Sequence, residues 1–559
     1  MYTGRFGEAG LCKETPPPGT VATAPARFRR FIPPFNFSTD IALLIGKGVQ
    51  GIADMAIKVA QGAAQLKGGK MKYELDPDEV GDDLMAAFGV DTLAETASFT
   101  VVAHTPFVVS SGVGQNDMID FIIGTGSELH ATVAAGSYDA YNLAKAIKIA
   151  LDAAGTPTTF TVAFDPVAKK FTITPSGAQT LTLLWKTGVN GSDNLGTAIS
   201  ALIGWGHTDT PAATPQTSTS AVTFVSSNDA IPFNENSGAE KTAYLAAGVY
   251  AMGADSSVSA SLCKEIKTQL EAANGTSDAY TVAYSYSAKK FTIVNDTHDF
   301  ILKFSTGTAA SISAYSLMGF TAADASSTSK SLASDSTTAA FVMSHAFSRI
   351  QSASLPSYTW WQKNGPDYPQ HAGCMLSKLE INVKAKEFIE VDADWLGLKY
   401  DATGTTQNAT YSTLQPMKFN MCVPTVGGSP IANYDDLKIT IDNQIAVEHV
   451  VGATIYGAKI YSKGLKISVS MSLIVEDLTE WAKFIAGTST SLSLAITSTE
   501  LIKAGFPYSL TLSIPVLQYS AAPRSIPGDL LKIVFTGEAV YNGIYSLLPT
   551  LVNDFGSAY

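Results

Sequence analysis

Gly46-Lys47-Gly48-Val49-Gln50-Gly51 has the spacing of a phosphate-gripping loop. It follows the apolar run Ile41-Ala42-Leu43-Leu44-Ile45 and precedes a candidate helix from Ile52 to Ala60, and Glu74 lies at a suitable distance for a ribose-binding carboxylate. Glycines spaced in this way let backbone amides approach a pyrophosphate. The surrounding pattern argues against that chemistry. No alternation of strand and helix follows, and the rest of the chain reads as antiparallel. A flexible glycine loop is the plainer reading, so no cofactor is expected.

The other reactive side chains are scattered. Histidines at 104, 130, 207, 298, 345, 371 and 449 show no metal spacing, and neither HExxH nor GxSxG occurs. His345 is expected to pack or cap within its strand. Cys12, Cys263, Cys374 and Cys422 are far apart with no CxxC pair, which argues against a zinc site and a disulfide framework and suits a reduced, intracellular place of assembly. Carboxylates are abundant, but nothing selects a catalytic pair. Adjacent Trp360 and Trp361 could stack on sugars, but a core or a subunit contact is the expected place for them. The pairs Lys169-Lys170 and Lys289-Lys290 are expected beside hairpin turns, solvated. No catalytic residues, metal or cofactor are therefore expected.

Composition narrows the class. The chain has 559 residues, 46% hydrophobic and 15% charged, which calls for three or four folded domains. A formal net charge of −12 argues against tight binding to a nucleic-acid backbone. Met1 to Pro18 shows no secretory pattern, and the apolar stretch Ile41 to Ala64 carries Lys47, Asp54 and Lys58, so no membrane insertion is expected.

The elements that would position any site come from two duplications. Residues 160–174 and 280–294 are identical at nine of fifteen positions. Each copy is preceded by a Gly-x-Tyr turn (Gly136-Ser137-Tyr138; Gly248-Val249-Tyr250) and a helical stripe (Leu143, Ala146, Ile147, Ala150, Leu151; Leu262, Ile266, Leu270). Each copy is followed by a last turn ending in Trp205 or Phe320. This pattern predicts two tandem α+β modules with antiparallel sheets, joined by Ser/Thr-rich separators at Thr208–Ser220 and Ala322–Ala340. The outer blocks repeat more faintly. Met71, Tyr73 and Leu75 alternate with polar residues, and Asp76-Pro77-Asp78-Glu79 reads as a capping box before a short helix ended by Gly89. Ile467, Val469, Met471 and Leu473 alternate likewise, and Asp477-Leu478-Thr479-Glu480 precedes a helix ended by Gly487. Paired strands follow each helix: Lys378–Ala385 with Phe388–Trp395, and Tyr508–Tyr519 with Leu530–Tyr541.

These outer pieces, taken in order, resemble the tail tube proteins of long-tailed, siphovirus-like bacteriophages. The segments carrying the resemblance are Gly68-Gly69-Lys70 through Gly89, His345-Ala346-Phe347 with Leu355-Pro356-Ser357-Tyr358-Thr359, and Gly373-Cys374-Met375 leading into Leu379-Glu380-Ile381 and Gly397-Leu398-Lys399-Tyr400. The chain departs from the family pattern by inserting both modules between helix and strand. The expected fold is mainly β (α+β): two tail-tube-type β-sandwich or barrel domains, each with one short helix, the first interrupted by the two modules. The expected boundaries are 1–98 and 339–412 for the first domain, 99–222 and 223–338 for the modules, and 413–559 for the second domain.

The resemblance implies a structural subunit that closes into rings, either three chains with pseudo-sixfold symmetry or six, stacked into a tube that conducts DNA. It implies tape measure and tail terminator proteins as partners, a place in the virion, and assembly in the host cytoplasm. Glu390, Asp392 and Asp394 share one strand face, which either lines the lumen and repels phosphate or meets outside water. Gly46, Lys47, Gly48 and Gly51 would suit an inter-ring loop. The modules would decorate the outside, with host-surface glycans as candidate ligands. The alternative expectation is another virion surface component, such as a head decoration or baseplate adhesin protein.

Overall fold

The computed structural model describes residues 8–22, 24–45, 59–103, 106–112, 115–165, 168–222, 227–275, 278–335, 341–351, 354–363, 368–401, 407–451, 455–526 and 530–559. The candidate inter-ring residues Gly46, Lys47, Gly48 and Gly51 lie outside this set. The chain divides into two compact units, residues 1–96 with 341–559, and residues 97–340. The architecture is mainly β, with four α-helices among the described residues. No helix there is long and apolar enough to cross a membrane.

The first unit is built on two half-buried sheets. Six strands carry most of one sheet: β1 (Val59–Glu74), β2 (Gln370–Lys384), β3 (Glu390–Gly397), β4 (Tyr434–Asp442), β5 (Lys466–Ile474) and β6 (Lys532–Ala539). Their spatial order is β1-β3-β2-β4-β5-β6, all antiparallel. Ile32–Ile45 extends the sheet beyond β1, and the end of Phe506–Ala521 extends it beyond β6. The second sheet runs Gly89–Thr96, Val342–Arg349, Leu548–Asn553, Phe506–Ala521, Thr490–Lys503, Cys422–Val426. Alternation drives both sheets. Val391, Ala393 and Trp395 are buried while Glu390, Asp392 and Asp394 are not, and such a period of two puts every second side chain into the core.

One order of elements occurs twice in this unit. A strand pair, Ile32–Ile45 with β1, leads to helix α1 (Val80–Phe88), which Gly89 ends at φ 88°. The pair β4 with β5 leads to a second helix, Thr479–Ala486, which Gly487 ends at φ 64°. Both glycines occupy the left-handed region that favours glycine as a helix terminator. The capping boxes differ from expectation. Asp76 and Asp477 each accept a bond from the amide two residues on, at 2.9 and 2.8 Å, and so form turns ahead of the helix. Each helix then starts without a side-chain cap, and Pro77 lies in the turn rather than at the first helical position.

The second unit shows the tandem copies directly. The hairpins Phe160–Asp165/Lys170–Pro175 and Tyr280–Ser285/Lys290–Asn295 have the same six-pair register. The helices Ala140–Ala154 and Leu262–Asn274 bury Leu143, Ile147 and Leu151, and Leu262, Ile266 and Leu270. Lys169 and Lys289 both take positive φ at the hairpin turn, and Lys170 and Lys290 reach the carbonyls of Thr219 and Asp335. The Gly-x-Tyr motif has a steric cause. The tyrosine ring folds back on its glycine, so that a β-carbon at Gly136 or Gly248 would meet the ring at 3.3 or 3.2 Å. Each hydroxyl donates to the carbonyl of Ala134 or Ala246.

The module edges are connected out of chain order. Gly136–Tyr138 pairs with Phe107–Val109, whereas Gly248–Tyr250 pairs with Phe99–Val101, at the start of the stretch that the expected bounds assign to the first module. Asn116 and Asn228 clamp these two strands in the same way: each side chain accepts from one backbone amide (Ser110, Val102) and donates to a carbonyl (Val108, Thr100).

Candidate functional site: a charged sheet face

The solvent side of the six-strand sheet is a lattice of charge. Cross-strand partners in register share a face, so the pairings define rows across the sheet. One row runs Lys70, Asp394, Lys378, Asp442, Lys466, alternating in sign over five strands. The next runs Lys72, Asp392, Glu380, Thr440, Ser468, Glu538. A third runs Glu74, Glu390, Asn382, Lys438, Ser470, Thr536.

Glu390, Asp392 and Asp394 therefore do share one face, but it is not bare acid. Lys72 Nζ lies 2.6 Å from Glu390, and Lys70 lies 3.9 Å from Asp392. Asn382 donates to Asp392 at 3.1 Å. Glu380 is held between Lys378 at 2.5 Å and Lys438 at 2.8 Å, and Lys466 meets Glu538 at 2.7 Å. Burial pushes the Glu380 carboxyl up, but the bonds from Lys378 and Lys438 outweigh it and hold the group below its ordinary range. The bond to Glu390 pushes Lys72 up, and the bond to Glu380 does the same for Lys378. Asp394 is raised chiefly by partial burial. Chemically, each lysine already has a carboxylate nearby. A phosphate placed on this face would compete with those carboxylates, which weakens the counterion release that drives tight nucleic-acid binding.

Lys70, Lys72 and Lys466 stand out in the sequence as the polar partners of alternating strands, but their assembly with Glu390, Asp392 and Asp394 is set by register between strands distant in sequence. Lys378, Lys438 and Asp442 likewise alternate with Leu379, Ile381, Leu437, Ile439 and Ile441, and only the register between strands brings them into the same rows.

The remaining candidates resolve as structure. His345 is fully buried. Its Nδ1 lies 2.8 Å from Asp91 and its Nε2 lies 3.0 Å from the carbonyl of Phe555. Trp360 and Trp361 are buried at 0 and 4% exposure, with Trp360 against Trp395 at 5.3 Å between ring centroids. The four cysteines are free thiols. Among the described residues one cluster has metal-like composition, namely Asp120, Glu128 and His130. Asp120 already accepts from His130 and from the backbone and side chain of Asn190, at 2.8, 2.5 and 2.8 Å. Glu128 accepts from the Val189 amide. The cluster serves as a hydrogen-bond hub tying a loop to the first module's sheet.

Comparison with known proteins adds a family match. Residues 251–529 match the family model for phage tail tube proteins. The match supports a structural component of a phage tail tube, and hence of the virion, rather than an enzyme. It takes in β2 to β5 of the charged sheet and the helix Thr479–Ala486, and it begins within the second module. No curated protein matches the chain.

Proposed function

We propose that this chain is the major tail tube subunit of a long-tailed, siphovirus-like phage, and that it self-assembles into stacked rings around a DNA conduit. The observation that carries the reading is the seam inside the chain. Lys378–Lys384 of β2 pairs residue for residue with Asp436–Asp442 of β4, welding the two repeated halves into one sheet. Among the described residues, Ile32–Ile45 pairs on one side only, and Ser520 and Ala521 lie at the other end of the sheet. Open edges at both ends favour joining to further copies, because ring closure removes unpaired edges.

The two halves correspond to tube domains at 1–98 with 339–412 and at 413–559. Three chains then supply six domains per ring. The charged face, including Glu390, Asp392 and Asp394, lines the lumen, and the loop containing Gly46, Lys47, Gly48 and Gly51 meets the next ring. The modules, 99–222 and 223–338, project outward. Their insertion point supports this, since Thr96 and Val342 are register partners on strands outside the charged sheet. Assembly takes place in the host cytoplasm, with tape measure and terminator proteins as further partners. Cryo-electron microscopy of the purified protein tests the proposal. Hollow tubes with three chains per ring are expected; six chains per ring would overturn the trimer, and absence of tubes would overturn the function.

A second reading, adhesion by the modules, draws on one cleft in the second unit. A cavity of about 540 Å³ is lined by Tyr138, Asp139, Asn142, Lys145, Ile149 and Tyr244. Aromatic faces beside convergent polar groups suit a saccharide. A glycan array probed with wild-type and Tyr244→Ala protein tests it: loss of a bound glycan supports adhesion, and no binding by either leaves the modules as decoration.

A further inference from the structure

The two short helices of the first unit are the same element in opposite settings. Eight of the nine residues of α1 are buried. Arg29 donates to Asp83 beneath it, and Tyr559 lies so close that a β-carbon at Gly81 would overlap its ring. Asn553 Nδ2 donates to Tyr559 Oη at 2.7 Å. Asn553 and Tyr559 belong to the second half of the repeat, so the helix of one half is sealed by the other half.

The second helix, named α2 here (Thr479–Ala486), has no buried residue. Leu478 and Ile485 are 54 and 66% exposed, and nearby Ile526 and Leu530 are 70 and 51% exposed. The guanidinium of Arg524 sits 3.5 Å above the Trp481 ring. A groove of about 410 Å³ beside the helix is walled by Val426, Pro430, Ile431, Trp481 and Phe535. Clustered apolar exposure of this kind marks an interaction surface.

We infer that the bare side of α2, with its groove, docks a second copy of this chain. The inference rests on the ring reading above. Two observations select that occupant. The sister helix is sealed by the neighbouring half, whereas α2 buries none of its residues against the described part of the chain, which leaves the equivalent covering role to the matching half of another copy. In addition, Tyr519, on the strand that ends the charged sheet, donates to Glu480 of α2 at 2.8 Å. A copy extending that sheet end therefore arrives beside the helix.

The test uses the full chain carrying Leu478→Asp and Ile485→Asp. Both residues are exposed, so the protomer should keep its melting temperature and circular dichroism, while the critical concentration for tube formation rises at least about tenfold. Assembly at the wild-type concentration would overturn the inference. A footprint on the wild-type protein, comparing carbene labelling of Leu478 and Ile485 in protomer and tube, stands independently of the variant's folding. Strong protection in the tube is expected. Tubes with unchanged labelling sink this inference alone, whereas wild-type protein that never assembles sinks the ring reading and the inference together.

Discussion

The two units use duplication in different ways. In the first, the repeated halves are fused: β2 joins β4 directly, and Leu548–Asn553 sits between Val342–Arg349 of one half and Phe506–Ala521 of the other. In the second, the repeated modules keep separate sheets. Phe99–Val101 crosses in sequence to complete the second module, and Tyr244 donates to Asp139 of the first. Fusion through sheet edges makes one cooperative body, whereas side-by-side modules joined by few contacts can open separately.

The largest expected effect tests that difference with one cavity in each unit. Trp395 is fully buried against Tyr358 and Trp360, and Phe171 is fully buried between Phe107 and Phe164. Trp395→Ala and Phe171→Ala should each cost about 3–5 kcal/mol. Hydrogen exchange should show protection falling across both halves of the first unit for Trp395→Ala, but within the first module only for Phe171→Ala. Equal spreading in both units would erase the contrast.

Next comes the crossing strand. Deleting residues 97–102 removes Phe99 and Val101, both buried, together with the partner of Gly248–Tyr250. The second module should lose on the order of 2–4 kcal/mol, while the first, completed by Phe107–Val109, keeps its melting point in calorimetry. Loss from the first module instead would show the pairing to be otherwise.

A smaller effect separates the modules by their buried polar groups. Asp120 in the first is the hub for His130 and Asn190, whereas the second places Pro232 at the matching point of its strand and satisfies Glu235 with Lys241, Tyr280 and Asn295. Asp120→Ala should cost about 1–3 kcal/mol, confined to the first module. Chemical denaturation followed by exchange measures it.

The smallest effect lies at α1, where sealing the helix also buries Glu79. Burial pushes its carboxyl up to about 7, against the pull of Arg29 and Arg30. A raised acid pKa favours the folded state only while the group is protonated. That contribution is complete below the unfolded value of about 4.3 and is lost as pH rises through about 7. Glu79→Gln should therefore gain roughly 1–2 kcal/mol at pH 8 relative to pH 4, read from paired melting curves. A difference independent of pH would refute the assignment.

Much of the architecture is legible in local pattern. Alternation around Met71–Leu75 and Ile467–Leu473, the glycine stops at Gly89 and Gly487, and the copied hairpins all appear as strands, helix ends and matching registers. The shared face of Glu390, Asp392 and Asp394 is equally local, because a strand's period is two. The roles of Asp76 and Asp477 are not legible locally, because an aspartate that closes a turn and one that caps a helix leave the same short signature.

By itself, then, the sequence determines which side chains of each strand look outward, where the short helices stop, and that the modules are copies, since these depend on neighbours within a few residues. Only the tertiary structure decides that Lys70, Asp394, Lys378, Asp442 and Lys466 form one row, that Phe99–Val101 serves the second module, and that one helix is sealed while its sister is bare. Each of these joins residues far apart along the chain, and strand register and packing between distant segments leave no periodic trace in either segment alone.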